Sequence, residues 1–192
     1  MLVGLINLFQ KEHQAIPGHR SKNVKLITGS LLGAIAAILQ SAGLFGGLGY
    51  AFSIAATGPI VLATVISARI GFLTYVVTAM LLIFLQPSEV LIFVFTTGLL
   101  GVSLGTGFKL AKNQTSVTIT GGLSLASGIL TLLYLFQFPV LGPAISSKIS
   151  VSVTIGVIVF SLLYSFIWMR LSLAGMKYLN RLMVRSSVLE KN

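Results

Sequence analysis

Few side chains in this sequence are suited to acid–base chemistry. There are two histidines, His13 and His19, and three carboxylates, Glu12, Glu89 and Glu190. General acid–base catalysis needs such a group held against its substrate. Both histidines fall in one polar N-terminal stretch, and the acids are scattered between the termini and a turn. No carboxylates are paired, no histidine and acid share metal-ligand spacing, and no Walker A glycine loop is present. The absence of cysteine removes disulfides, thiolate catalysis and cysteine metal sites. The chain therefore reads as a non-enzyme with no cofactor and no metal. The apolar segments carry neither carboxylate nor histidine on this reading. That argues against a proton-coupled pump, which needs ionisable groups within the membrane.

The composition explains where the few polar residues must sit. Of 192 residues, 55% are hydrophobic and only 8% charged, and the mean hydropathy is +1.00. A soluble domain carries about 25% charged residues, so this chain could not cover its own surface in water. An ordinary cytosolic enzyme, a disordered protein and a typical nucleic-acid binder are excluded. The net charge of +10 is read as basic residues flanking membrane spans on the cytoplasmic side, in preference to a nucleic-acid surface. A β-barrel would need alternating apolar and polar residues, and runs such as Leu81-Leu82-Ile83-Phe84-Leu85 do not alternate.

The expected fold is an all-α integral membrane protein, a bundle of about six transmembrane helices with both termini cytoplasmic. The spans are expected over Val24–Gly43, Tyr50–Ser67, Gly71–Leu85, Val90–Leu110, Val117–Phe136 and Val151–Leu173. Residues 1–23 form an N-terminal interfacial and basic segment, 24–173 the transmembrane domain, and 174–192 a basic cytoplasmic tail that continues as a helix. Met1–Phe9 is too short and wrongly flanked for a signal peptide and reads as an interfacial lead-in. Pro59 is expected to kink the second span, and Gln86-Pro87-Ser88-Glu89 to form a turn. With the N-terminus inside, twelve basic residues lie on the cytoplasmic side and Lys148 alone outside, in line with the positive-inside rule. The sequon Asn113-Gln114-Thr115 then falls inside and reads as chance. No internal repeat is evident, so nothing points to an inverted-repeat transporter.

Two groups remain as functional candidates. Gly29, Gly33 and Ala37 form a small-residue stripe on the first span, and such stripes let helix backbones approach closely. Its partner is either another helix of the same bundle or another membrane subunit. Glycines on the fourth span (Gly98, Gly101, Gly105) and small residues on the fifth (Gly121, Ser124, Gly128) read as packing within the bundle. At the outer ends lie Gln40, Tyr50, Glu89, Tyr134, Gln137 and Lys148. They form the rim of a polar ligand site, or they anchor the chain at the interface. Gly46-Gly47-Leu48-Gly49 is either a mobile gate or a turn that needs positive φ.

This pattern resembles the substrate-binding S components of energy-coupling factor transporters. It is similar in particular to an S-component-like group of bacterial cell-membrane proteins without an assigned substrate. The resemblance spans about residues 24–170. It rests on the Gly29-x3-Gly33-x3-Ala37 stripe, on the run Gly58-Pro59-Ile60-Val61-Leu62-Ala63 followed by Ser67-Ala68-Arg69-Ile70-Gly71, and on the glycine-rich span ending in Gly105-Thr106-Gly107-Phe108-Lys109. Two glycines stand where the family's stripe has alanines, and no vitamin-specific polar cluster is present. The resemblance implies a membrane-embedded substrate-binding subunit for uptake of a small solute. A transmembrane coupling subunit and ATPase subunits would supply the energy. It implies docking through Gly29, Gly33 and Ala37, and substrate binding at the outer face. The competing reading is a non-transport multi-span protein, an assembly factor, anchor or regulator working through its basic tail on anionic lipid or a partner. A small independent permease is a third.

Overall fold

The computed structural model of the chain describes residues 22–111, 113–138 and 150–189. Every regular element among them is helical. Helix α1 spans Lys22–Ser41 and ends in a 3-10 turn, Ala42–Phe45. Then come α2 (Leu48–Ala55), α3 (Thr57–Ile66) and α4 (Ala68–Leu85). These are followed by α5 (Pro87–Phe95), α6 (Thr97–Leu110) and α7 (Gln114–Leu130). A π-helical turn, Thr131–Leu135, closes α7, and α8 runs over Val151–Leu189. Together they make six segments long and apolar enough to cross a membrane. The segment 1–21, Lys148 and Lys191 lie outside the described residues.

Two of the six segments are broken. The second divides at Ala56 into α2 and α3. Pro59 has no N–H for the carbonyl of Ala55, and its ring crowds that carbonyl; the expected kink falls there as a one-residue irregularity, in which Ala56 keeps helical angles (φ −58°, ψ −22°) while its N–H bonds the Ser53 carbonyl. The fourth divides at Thr96, whose φ of −123° and ψ of −87° are not helical. No proline marks this second break. There the chain folds Phe93 over Gly98, where an added Cβ would lie 2.8 Å from both the Phe93 ring and its carbonyl oxygen.

The fourth segment also starts earlier than the turn-forming reading of Gln86–Glu89 allows. Proline is well suited to the first helical position, where its missing N–H has no partner anyway. Gln86 is accordingly non-helical (φ −155°, ψ 80°), and the helix begins at Pro87. Glu89 thus lies inside an apolar segment, in its first turn, and is buried. This corrects the expectation that no span holds a buried carboxylate, and with it the argument drawn from that absence.

Helices α3 and α6 form the centre, with α1 and α4 packed on one side and α7 and α8 on the other. Glycines set the closeness of the central crossing. A Cβ on Gly101 would lie 2.7 Å from Ile60 Cβ, and one on Gly105 would meet Thr64 and lie 3.1 Å from the Val61 carbonyl oxygen. One apolar core runs between α3, α6, α7 and α8 through Val61, Leu100, Leu104, Phe108, Leu125 and Met169. A smaller one joins Ala36, Ile60, Leu82 and Phe93. The glycine stripes of the fourth and fifth segments are therefore packing surfaces. The Gly128 backbone meets the Phe95 carbonyl, and Gly121 receives Leu104 and Ser165.

The first-span stripe is also used internally. Gly29, Gly33 and Ala37 are buried. The Thr74 hydroxyl donates to the Gly29 carbonyl (3.1 Å) and that of Thr78 to the Gly33 carbonyl (3.2 Å). Small residues bring the backbones of α1 and α4 close enough for these bonds. Helix α4 thus occupies the stripe at Gly29 and Gly33, and Ala37 is buried with them, so none of the three is exposed in this structure.

Helix α8 continues through 39 residues, about 58 Å at 1.5 Å per residue. A hydrocarbon core is about 30 Å thick, so one end of α8 projects beyond any bilayer it crosses. The boundary expected at 173/174 falls within this unbroken helix.

Candidate binding site

The buried face of α1 that packs through Gly29, Gly33 and Ala36 ends on Gln40, which is fully buried. An amide carried inward on an apolar face must find hydrogen-bond partners or lose its hydration uncompensated. Gln40 finds three, from three different elements. Its Nε2 donates to Ser53 Oγ of α2 and to Glu89 Oε2 of α5, both at 2.8 Å. Its Oε1 accepts from Thr97 Oγ1 of α6 at 2.9 Å. One side chain thereby ties the first segment to both broken ones.

The local sequence accounts for each partner. Glu89 is the third residue of α5, close to the positive end of the helix dipole, which favours an acidic side chain. Its carboxyl group turns inward over Gly43, where an added Cβ would lie 3.0 Å from Oε1, so a larger residue at 43 would push the acid away. Thr97 starts α6 directly after the break at Thr96. Ser53 lies one turn before Thr57 on the α2–α3 segment, and the Ala56 N–H bonds the Ser53 carbonyl across the break at 3.1 Å. The Thr57 backbone lies against Gly101, where an added Cβ would be 3.1 Å from the Thr57 carbonyl oxygen, and Gln40 bonds both Ser53 and Thr97. The two interruptions therefore stand side by side, and the cluster sits in the angle between them.

The cluster is rich in acceptors. Glu89 is 9% exposed, and no cationic side chain pairs with it among the described residues. Thr57 Oγ1, fully buried, has no hydrogen-bond partner there. A buried hydroxyl left unpaired costs about 1–3 kcal/mol.

Of the six rim residues expected from the sequence, the structure joins Gln40 and Glu89 directly. Tyr50 is 61% exposed and takes no part in the cluster's hydrogen bonds. Tyr134 lies in the π-helical turn and bonds Thr154 Oγ1 at 3.0 Å. Gln137 is exposed at φ 51°. Lys148 lies outside the described residues. Sequence reasoning missed Ser53, Thr57 and Thr97. The signal was present in part: Ser53 and Thr57 stand one turn apart just before Pro59, and Thr97 precedes Gly98. The Gly46-Gly47 segment is a turn at positive φ (56° and 38°), the conformation that glycine adopts without steric cost.

A concavity of about 240 Å³ lies between α3 and α8, lined by Gly58, Val61, Leu62, Trp168, Ser172 and Tyr178 among others. Its walls are mainly apolar, and it is separate from the polar cluster. Among the described residues no group of three or more His, Cys, Asp or Glu could hold a metal ion. Neither a family model, nor a curated protein, nor a solved structure matches the chain, so the functional reading rests on the site itself.

Proposed function

We propose that this chain is a membrane-embedded binding subunit for uptake of a small solute. It would lie in a bacterial cell membrane with both termini cytoplasmic, energised by separate coupling and ATPase subunits. The observation that carries the reading is the buried Gln40–Glu89 pair, which Gln40 also ties to Ser53 and Thr97, next to the irregular turns of two apolar segments. Ionisable residues inside apolar helical bundles are costly and mark functional paths. Interrupted helices free backbone polar groups for a ligand, as discontinuous helices do in many transporters. The positive-inside count supports an outer position for this cluster, where an uptake subunit must meet its solute. The resemblance to S components supports the same role. The docking face for a coupling subunit would then lie elsewhere than on Gly29, Gly33 and Ala37. One observation favours the anchor or assembly reading: in this structure Gln40, Ser53, Glu89 and Thr97 satisfy one another and Gln40 is closed off.

The test is purification of the tagged full-length protein from its native membranes in mild detergent. Co-purifying proteins are identified, and unfolding temperature is then screened against small solutes. The reading expects a membrane coupling subunit and ATPases in the preparation, and a solute that stabilises the wild type but not Gln40→Ala. A chain that comes out alone, with no stabilising solute, favours the anchor or assembly reading instead.

A further inference from the structure

We infer that the cluster between the two helix breaks binds a compact monovalent cationic centre, a sodium ion or the ammonium group of a small amine. The inference rests on the binding-subunit reading only for its context; the cluster's chemistry argues it independently. Five side-chain groups converge on the angle between α2–α3 and α5–α6, or lie one turn from it: Gln40, Ser53, Thr57, Glu89 and Thr97. Between them they offer six oxygen atoms: two from Glu89 and one each from Gln40, Ser53, Thr57 and Thr97. The sole described nitrogen among them is Gln40 Nε2. It sits between Ser53 Oγ and Glu89 Oε2 at 2.8 Å from each, the place a cation would take.

Gln40 can vacate that place without moving its backbone. The amide oxygen and nitrogen have nearly the same size, so rotating the amide end exchanges them within the same volume. Oε1 then faces Glu89 and Ser53, and Nε2 faces Thr97. The Thr97 hydroxyl, now donating to Oε1 at 2.9 Å, accepts from Nε2 instead, because a hydroxyl does both. Ser53 Oγ loses its donor and gains a free lone pair. The three changes turn a closed hydrogen-bond set into an oxygen-lined site bearing one carboxyl group. Hard cations prefer oxygen ligands, and an ammonium group donates without accepting.

Thr57 supplies the second observation. Its hydroxyl is fully buried and without a partner among the described residues. Buried hydroxyls in native proteins are nearly always paired, so an unpaired one a helical turn after Ser53 leaves a polar partner to be supplied, as at Ser161 and Ser172 on α8.

The probes are sodium chloride and methylammonium chloride, each titrated against choline chloride at constant ionic strength. The readout is the unfolding temperature of the full-length protein in detergent. The expected result is a saturable rise with at least one probe. Glu89→Gln weakens the apparent affinity about 10- to 100-fold, the range for losing one hydrogen bond to a charged group. Thr57→Val removes a hydroxyl that goes unpaired in the closed state, so it raises the unfolding temperature in choline while weakening the probe response. Thr120→Ala, on an exposed part of α7, keeps the response. A rise with sodium alone assigns an inorganic ion, and a rise with methylammonium alone assigns an amine on the solute. The inference is overturned if wild type responds to neither probe, or if Glu89→Gln responds equally. A neutral solute that stabilises the wild type without any cation effect would overturn the cation assignment and leave the binding-subunit reading standing. A cation response in a chain that purifies without partners would do the reverse.

Discussion

Replacing Gly105 by leucine is expected to destabilise the bundle by more than about 3 kcal/mol, at or beyond the upper end of the usual cost of overpacking a core. A side chain at 105 points straight into α3. Its first carbon meets Thr64 and lies 2.7 Å from Thr64 Cγ2 and 3.1 Å from the Val61 carbonyl oxygen. Backbone cannot rotate out of the way as a flexible side chain can, so α3 and α6 must separate. That separation exposes the core around Val61, Leu100 and Leu104 and pulls apart the columns of Ser53–Thr57 and Thr97–Gly101. The matching control is Gly156→Leu, because an added Cβ at 156 meets nothing within 4 Å. Replacing a helical glycine in open space improves helix propensity by up to about 1 kcal/mol. Unfolding of the two variants in detergent, monitored by circular dichroism, checks the contrast. Equal stabilities would mean that α3 and α6 do not cross at these glycines.

Gln40→Leu is expected to cost about 2–3 kcal/mol, for a different reason. Leucine fills a similar volume, so packing is nearly conserved, but Ser53, Glu89 and Thr97 each lose a partner at once. An interhelical hydrogen bond in a membrane protein is worth only about 0.6 kcal/mol on average. The larger expectation comes from leaving a buried carboxyl group unpaired, which costs about 1–3 kcal/mol and more when charged. The double variant Gln40→Leu/Glu89→Leu removes both sides of the contact. It should recover much of the loss, since replacing both partners by apolar groups is often neutral. A double-mutant cycle on unfolding free energies measures that coupling. Strict additivity would mean that the two side chains do not interact.

Much of the fold was legible because hydropathy and length alone decide it. All six apolar segments were placed within a few residues of their observed positions, and Pro59 announced the first interruption. The second escaped notice because Thr96 breaks α5 from α6 through tertiary packing, with Phe93 folded onto Gly98, and not through proline chemistry. Glu89 was placed at the correct end but on the wrong side of a helix start. Pro87 reads equally well as a turn residue and as the first residue of a helix, and only the second choice buries the acid. Gln40 was legible as a polar residue just inside the end of the first span. Ser53 and Thr97 were not, because serine and threonine are common in membrane helices and gain meaning only from what stands opposite. The stripe of Gly29, Gly33 and Ala37 shows the same ambiguity. Close helix packing uses one chemistry within a chain and between chains, and here Thr74 and Thr78 of α4 claim it.

The central claim is that the buried cluster is a binding site reached from the outer face of the membrane. Its most direct test uses the absence of native cysteine. A single Ser53→Cys variant is treated in intact cells with a membrane-impermeant maleimide, with and without sodium or methylammonium, and its labelling rate is measured. The account predicts labelling from outside as the site opens, slowed by whichever cation occupies it. Labelling that appears only after the cells are permeabilised, or only after the protein is denatured, would contradict it.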